Sequence, residues 1–388
     1  MIKKQHRHKQ SLIKDTFFKK LRQLDHETNR KCIPPVAEIR LLKESHYLDI
    51  VLPGAAYDFH TGSTSGLLTL LRQFGRASGA IGRIFEGHIN AIFLLHLYAT
   101  EEQQQFYYQK VKQNRALLGV WNTDDATQGI VYKEADAHID IQGAKAYCSG
   151  AGFVDYAIIG GKWNRQDKSG WQLSIVPMEK VPESRIDLSS WETLGMQSSV
   201  SFTIDFSAIS IPIDALLGGL DDYTKTPFFL GGAIRFAAVH LGMAEAIMAA
   251  TLQYLAGRDR TDQVFQRMRL GQMEMAIRTG QLWIKDVAGL FDKTLKNPHE
   301  YGDRLVSYAH MSRLVIEEIG LKVIELSSKC IGAQGLFSKV GIEQLHRDLA
   351  FYLRQPAPDE TLQNAAAFII ASGQEIIDIY DEPIREGN

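Results

Sequence analysis

The spacing of apolar residues changes character twice along this chain. That order, helical then extended then helical, restricts the fold more than any other feature. From Ser11 to about Asn114 apolar residues recur at helical intervals: Leu12, Phe17, Phe18 and Leu21 share one face, as do Leu67, Leu68, Leu71, Phe74 and Ile81. Pro34-Pro35 and Leu52-Pro53-Gly54 interrupt this region, and Thr100-Glu101-Glu102 has the residues of a fresh helix N-terminus. At Leu117 the runs become short, rich in Val, Ile, Phe and Trp, and separated by turn residues; SFTIDF alternates at period two. Asp140-Ile141-Gln142-Gly143 and Gly160-Gly161 read as hairpin turns. Helical periodicity returns near Pro227 in segments of more than twenty residues. The predicted class is α+β multidomain: an N-terminal α-helical bundle (1–116), a central β-barrel or sandwich (117–225) and a C-terminal four-helix bundle (226–388).

A chain of 388 residues exceeds one ordinary core, which agrees with several domains. A formal net charge of −2 argues against nucleic acid or an anionic membrane as the main partner. Nowhere do 18 apolar residues run together, so no membrane span is predicted. The basic start MIKKQHRHKQ leads into an amphipathic stretch, with no apolar h-region, and reads as the polar start of a first helix. Asp15 and the scarcity of Ser and Arg count against a mitochondrial presequence. Cys32, Cys148 and Cys330 are odd in number and far apart, with no metal-ligand spacing; they suit a reducing compartment, and a cytoplasmic location is expected.

Several local strings add to the domain order. Gly119-Val120-Trp121-Asn122-Thr123-Asp124 would end a strand on a hydroxyl, and Gly143-Ala144-Lys145-Ala146-Tyr147-Cys148-Ser149-Gly150 follows. Later come Leu194-Gly195-Met196 with Ser198-Ser199, then Ile211-Pro212 and Leu217-Gly218. The last region has Tyr254 four residues before Arg258, the glycine-rich Gly332-Ala333-Gln334-Gly335, and His346-Arg347-Asp348. Together these resemble the acyl-CoA dehydrogenase superfamily along nearly the whole chain. The resemblance implies FAD as cofactor, with Trp121, Thr123, Tyr147 and Ser149 around the flavin ring. It also implies Arg258 reaching the pyrophosphate of a neighbouring subunit's FAD, a role that suits a forked guanidinium, and a close approach by Gly332 and Gly335. An active homodimer or homotetramer would follow. Each residue also has a plain structural reading: strand-end polar groups for Thr123 and Ser149, core or edge aromatics for Trp121 and Tyr147, a solvated charged face for Arg258, a helix C-cap for the glycines.

Acyl thioester desaturation needs a carboxylate base, whose loss removes about 10²–10⁴ in rate. In most of the family this is a glutamate about eight residues past the Arg-Asp; here Pro356 stands there. At the second family location, just before Arg235, stands Ile234. Asp359 and Glu360 lie a few residues further on and are the remaining carboxylates for the role, although acidic residues also favour a helix N-terminus. Three readings follow. The leading one is an FAD-dependent oxidoreductase desaturating an acyl thioester of CoA or a carrier protein, passing electrons to an electron-transfer flavoprotein. The second is a monooxygenase of the same architecture, supplied with reduced flavin by a reductase and needing no base, with which His240 and His346 are compatible. The third is a flavin-free scaffold.

Overall fold

Runs of helix-forming residues broken by Pro and Ser divide the first third of the chain into five helices among the described residues. The computed structural model describes residues 2–31, 33–165, 168–354 and 358–372; Cys32 and Pro356 lie outside them. The five are α1 (Ile2–Lys31), α2 (Val36–Glu44), α3 (Thr64–Ala77), α4 (Gly79–Tyr98) and α5 (Glu101–Asn114). Ser78 separates α3 from α4, and its hydroxyl caps α4 by accepting from the Ile81 amide at 3.1 Å. Thr100 opens α5 with the expected reciprocal cap: its hydroxyl accepts from the Gln103 amide, and the Gln103 side chain accepts from the Thr100 amide. Helix α4 is buried along most of its length, so a polar residue on it needs a partner or a cavity.

The change of element type falls between Asn114 and Leu118. Ten short strands follow: β1 (Leu118–Trp121), β2 (Val131–Ala135), β3 (His138–Gln142), β4 (Ala144–Cys148), β5 (Tyr156–Arg165), β6 (Lys168–Pro177), β7 (Ile186–Asp187), β8 (Phe202–Asp205), β9 (Ile209–Pro212) and β10 (Leu216–Leu217). They form two open sheets, one ordered β10-β6-β5-β2-β3-β9 with β1 beside β5, the other β4-β8-β7. Neither closes into a barrel. The two glycine-based hairpin expectations need correction. Gly160 and Gly161 lie in the middle of β5. A Cβ on Gly160 would sit 2.2 Å from both Asn122 Oδ1 and Trp171 Nε1, so the glycine admits a close approach rather than a turn. The stretch Asp140–Gln142 is strand, and Gly143, at φ +110°, passes the chain from one sheet to the other.

The remaining helices are α6 (Phe228–Gly231), α7 (Ala233–Ala256), α8 (Val264–Lys296), α9 (Pro298–Gly335), α10 (Ile342–Tyr352) and α11 (Pro358–Ser372). Long consecutive helices with short connections pack side by side. Gln281 on α8 donates to Glu245 on α7, and Thr251 of α7 meets Ser327 of α9 through their hydroxyls at 2.6 Å. The stretch Phe228–Ala256 is long and apolar enough by composition to cross a bilayer; 61% of an apolar 18-residue part of it is buried inside the protein, as in a core helix. Cys148 and Cys330 are buried free thiols.

Candidate functional site

Arg83, Glu86, Asn90, Leu94 and Leu97 recur at three- and four-residue intervals, so one side of α4 presents them together. They form one wall of a cavity of about 380 Å³. The end of β1 (Val120, Asn122, Thr123), the start of α7 (Ala233, Arg235, Phe236), α9 (His310, Arg313) and α11 (Glu360, Thr361, Asn364) supply the others, with Phe93, Tyr223, Phe228 and Phe229 between them. A largely apolar pocket with a few converging polar groups is the usual form of a ligand site.

The polar groups are linked. Arg83 Nη1 donates to Glu86 Oε2, Asn90 Nδ2 donates to Glu86 Oε1, and Arg235 Nε donates to Asn90 Oδ1, each at 2.5 Å. Arg313 Nη1 donates to Thr361 Oγ1 at 2.9 Å. Burial pushes Arg235 down to about 10, against the pull of Glu86 and Tyr223, and it stays charged at neutral pH. On Arg83 burial pulls the guanidinium pKa down, but Glu86, Tyr352 and Tyr223 together outweigh it and hold the pKa above its usual value. His240 is driven down to about 3 by burial and then by Arg313 and Arg83. It is neutral, stands edge-on to Tyr352 at 4.2 Å, and its Nε2 has no hydrogen-bond partner among the described residues.

Beside the cavity mouth the two β-edges expected to meet a flavin are fixed to one another. Trp121, buried, donates from its indole to the Ser149 carbonyl at 3.1 Å. The Thr123 carbonyl accepts from the Ala146 amide at 3.0 Å. Lys145 is fully buried, and its ammonium donates to the Asn122 carbonyl at 3.1 Å and to Asp124 Oδ1 at 2.6 Å. Burial lowers the Lys145 pKa, with Asp124 opposing. Ser149 is held from behind by the Ser201 hydroxyl at 2.9 Å. Tyr147, at φ +57°, leaves 59% of its surface exposed and meets Trp191 edge-on at 6.0 Å, which in turn meets Phe351 at 5.5 Å. Tyr147 and Trp191 thus form an open aromatic corner, with exposed Thr123 and buried Ser149 on the adjoining segments.

Of the residues selected from sequence, the structure therefore brings Trp121, Thr123, Tyr147 and Ser149 together. Arg258 lies elsewhere, exposed at the end of α7, with its guanidinium 3.6 Å above the Tyr254 ring. Gly332 interrupts α9 at φ +59°, and a Cβ there would meet nothing within 4 Å, while Gly335 packs against Ile331. Glu360 reaches the cavity rim but is exposed, and Asp359 is exposed in the first turn of α11. Ile234 is fully buried. His346 is bonded to Ser327 at 2.9 Å, on the bundle side. Sequence reasoning missed the cluster of Arg83, Glu86, Asn90, Arg235 and Arg313. The available signal was the polar triplet 83/86/90 inside an otherwise apolar helix.

The comparisons with known proteins agree with this frame. Residues 234–352 match the family model described as acyl-CoA dehydrogenase, C-terminal domain. Dibenzothiophene monooxygenase of Rhodococcus qingshengii is 22% identical over 345 residues, spanning 81% of this chain and 80% of its own length. A probable acyl-CoA dehydrogenase of Bacillus subtilis, YngJ, is 23% identical over 327 residues, spanning 81% and 84%. The crystal structure of FMN-bound TdsC from Paenibacillus sp. A11-2 superposes with TM-score 0.85 at 16% identity, over 95% of this chain and 99% of that one. Methanesulfinate monooxygenase MsuC from Pseudomonas fluorescens gives 0.82 at 18%, over 95% and 98%. Residues 234–352 thus resemble an acyl-CoA dehydrogenase C-terminal domain, and the fold is shared over nearly the whole length of the chain with the two monooxygenase structures.

Proposed function

We propose that this protein is a flavin-dependent monooxygenase that takes reduced flavin from a separate reductase and oxygenates a small organic substrate. The observation that carries the reading is the state of the carboxylates around the cavity. Glu86, the buried one, has both oxygens occupied by Arg83 and Asn90, Glu360 is exposed at the rim, and Ile234 stands at the alternative base position. A base held in a double hydrogen bond to a guanidinium and an amide is poorly placed to take a substrate proton. Acyl thioester desaturation, the leading reading from sequence, therefore gives way to oxygenation. The dibenzothiophene monooxygenases among the relatives support the same choice.

The flavin, FMN or FAD, supplies the activation of O₂. Thr123 and Ser149 would hold its ring edge, Tyr147 and Trp191 its faces, while Trp121 keeps the Ser149 backbone in place. Apolar walls from Phe93, Phe228, Phe229 and Phe236 exclude water from the substrate side. Arg258 and the Gly332 turn are suited to the phosphate end of a cofactor held between subunits. Exposed Phe265, Met268, Met275 and Leu282 on α8, the last three seven residues apart, give a second copy an apolar face to cover.

A TdsC structure holds indole with FMN, so indole is a reasonable first probe. Protein mixed with a flavin reductase, NADH, FMN and O₂ should yield oxygenated indole. Anaerobic bleaching of the bound flavin by an acyl-CoA, without oxygenation of any aromatic substrate tried, would restore the dehydrogenase reading.

A further inference from the structure

Arg235 is 6% exposed, yet no carboxylate lies within 4 Å of it among the described residues. Its hydrogen bond runs from Nε to Asn90 Oδ1. Arg83 and Asn90 donate to the two oxygens of Glu86, and Arg235 makes no direct hydrogen bond to that carboxylate among the described residues. The rings of Phe93 and Phe291 lie 4.8 and 5.7 Å from the guanidinium centre. They account for its faces and leave the N–H edge, which carries four more donors. Glu86 reaches Arg235 only through Asn90, and a buried cation with no carboxylate in direct contact is costly and is normally paired or bound to a ligand. Arg313, 7% exposed, stands on another wall of the same cavity. Three guanidinium groups, those of Arg83, Arg235 and Arg313, thus line a space whose buried carboxylate is Glu86 alone among the described residues.

We infer that the cavity takes a small organic anion, a carboxylate, sulfinate or sulfonate on a compact apolar body, with the anionic head on the Arg235 edge. The planar fork of a guanidinium matches two oxygens of such a head. The phenylalanine walls suit the apolar body, and about 380 Å³ limits it to roughly one ring or a short chain. The inference rests on the reading of this cavity as the oxygenase's substrate site, and it names the substrate's charge.

The test compares benzoate and benzenesulfinate with neutral benzamide, by calorimetry and thermal shift, on the full chain with and without FMN. Benzoate should bind at least about tenfold more tightly than benzamide, the size expected for a charge-assisted hydrogen bond. Arg235→Gln should abolish the preference and Arg235→Lys should retain part of it. The wild-type comparison stands by itself should either variant fail to fold. Equal binding of benzoate and benzamide, or an unchanged preference in Arg235→Gln, overturns the inference. The two proposals separate cleanly. Anion preference without FMN uptake or oxygenation keeps the anion site and removes the oxygenase; oxygenation of indole with no anion preference does the reverse.

Discussion

Replacing Glu86 with glutamine removes the buried negative charge that faces Arg83 and, through Asn90, Arg235. Glu86 is 1% exposed, so its loss is not made good by water. Breaking a buried pair from one side costs about 3–5 kcal/mol, because the remaining cation keeps its desolvation penalty. For 388 residues unfolding as one unit, the entropy of unfolding is roughly 0.8 kcal/mol per kelvin, which makes the loss about 4–6 °C in melting temperature. Scanning fluorimetry at pH 7.5 measures it directly. Two controls sharpen the result. Arg83→Met combined with Glu86→Leu should recover much of the loss, since it removes both charges at once. Added benzoate should raise the melting temperature of Glu86→Gln by more than it raises that of the wild type. A Glu86→Gln protein melting within about 1 °C of wild type, with no benzoate difference, would refute the view that Glu86 is the counter-charge of an arginine cluster.

Other expectations concern the surrounding structure. Burial raises the Asp25 carboxyl to about 8, with Asp348 and Glu38 adding to it and the Ser78 hydroxyl opposing. A raised carboxyl binds its proton more tightly when folded, so this contribution is full below about pH 4 and is lost as pH rises through 8. Because Asp25 is only partly buried, we expect about 1–2 kcal/mol from it, and Asp25→Asn should flatten the fall in stability between pH 5 and 8.5; an identical slope in the variant would refute this. Gly160→Ala should destabilise by about 1–3 kcal/mol through overpacking against Asn122 and Trp171, seen as a lower urea midpoint. Leu282→Glu, in the exposed stripe of α8, should shift the protein toward a monomer in light scattering while leaving its circular dichroism unchanged; an unmoved mass argues against that face as the contact.

Much of the architecture is legible in the sequence because it follows local rules. The change of period at Leu117 and its return near Pro227 mark the element types, and the Thr100 cap is written in four consecutive residues. Where close approach rather than turn chemistry places a glycine, as at Gly160, the local rule misleads: the reason lies on Asn122 and Trp171, out of sequence reach. The same holds for the cavity. Asn90 and Arg235 are 145 positions apart and meet only because α4 and α7 pack together. Strings of the β-region, by contrast, place Thr123, Tyr147 and Ser149 near one another, since two short adjoining segments carry all three.

The buried ammonium of Lys145 has a bearing on redesign. It fastens the strand that carries Tyr147 to the backbone of Asn122 and the carboxylate of Asp124, on either side of Thr123, from the side away from solvent. The aromatic corner is thus held in part by a buried ammonium on the strand that carries Tyr147. Thr123 and Tyr147, both exposed, can be exchanged for other side chains to alter what the corner recognises without loosening the frame that holds it. Lys145 and Asp124 are the positions a mutational library should leave untouched.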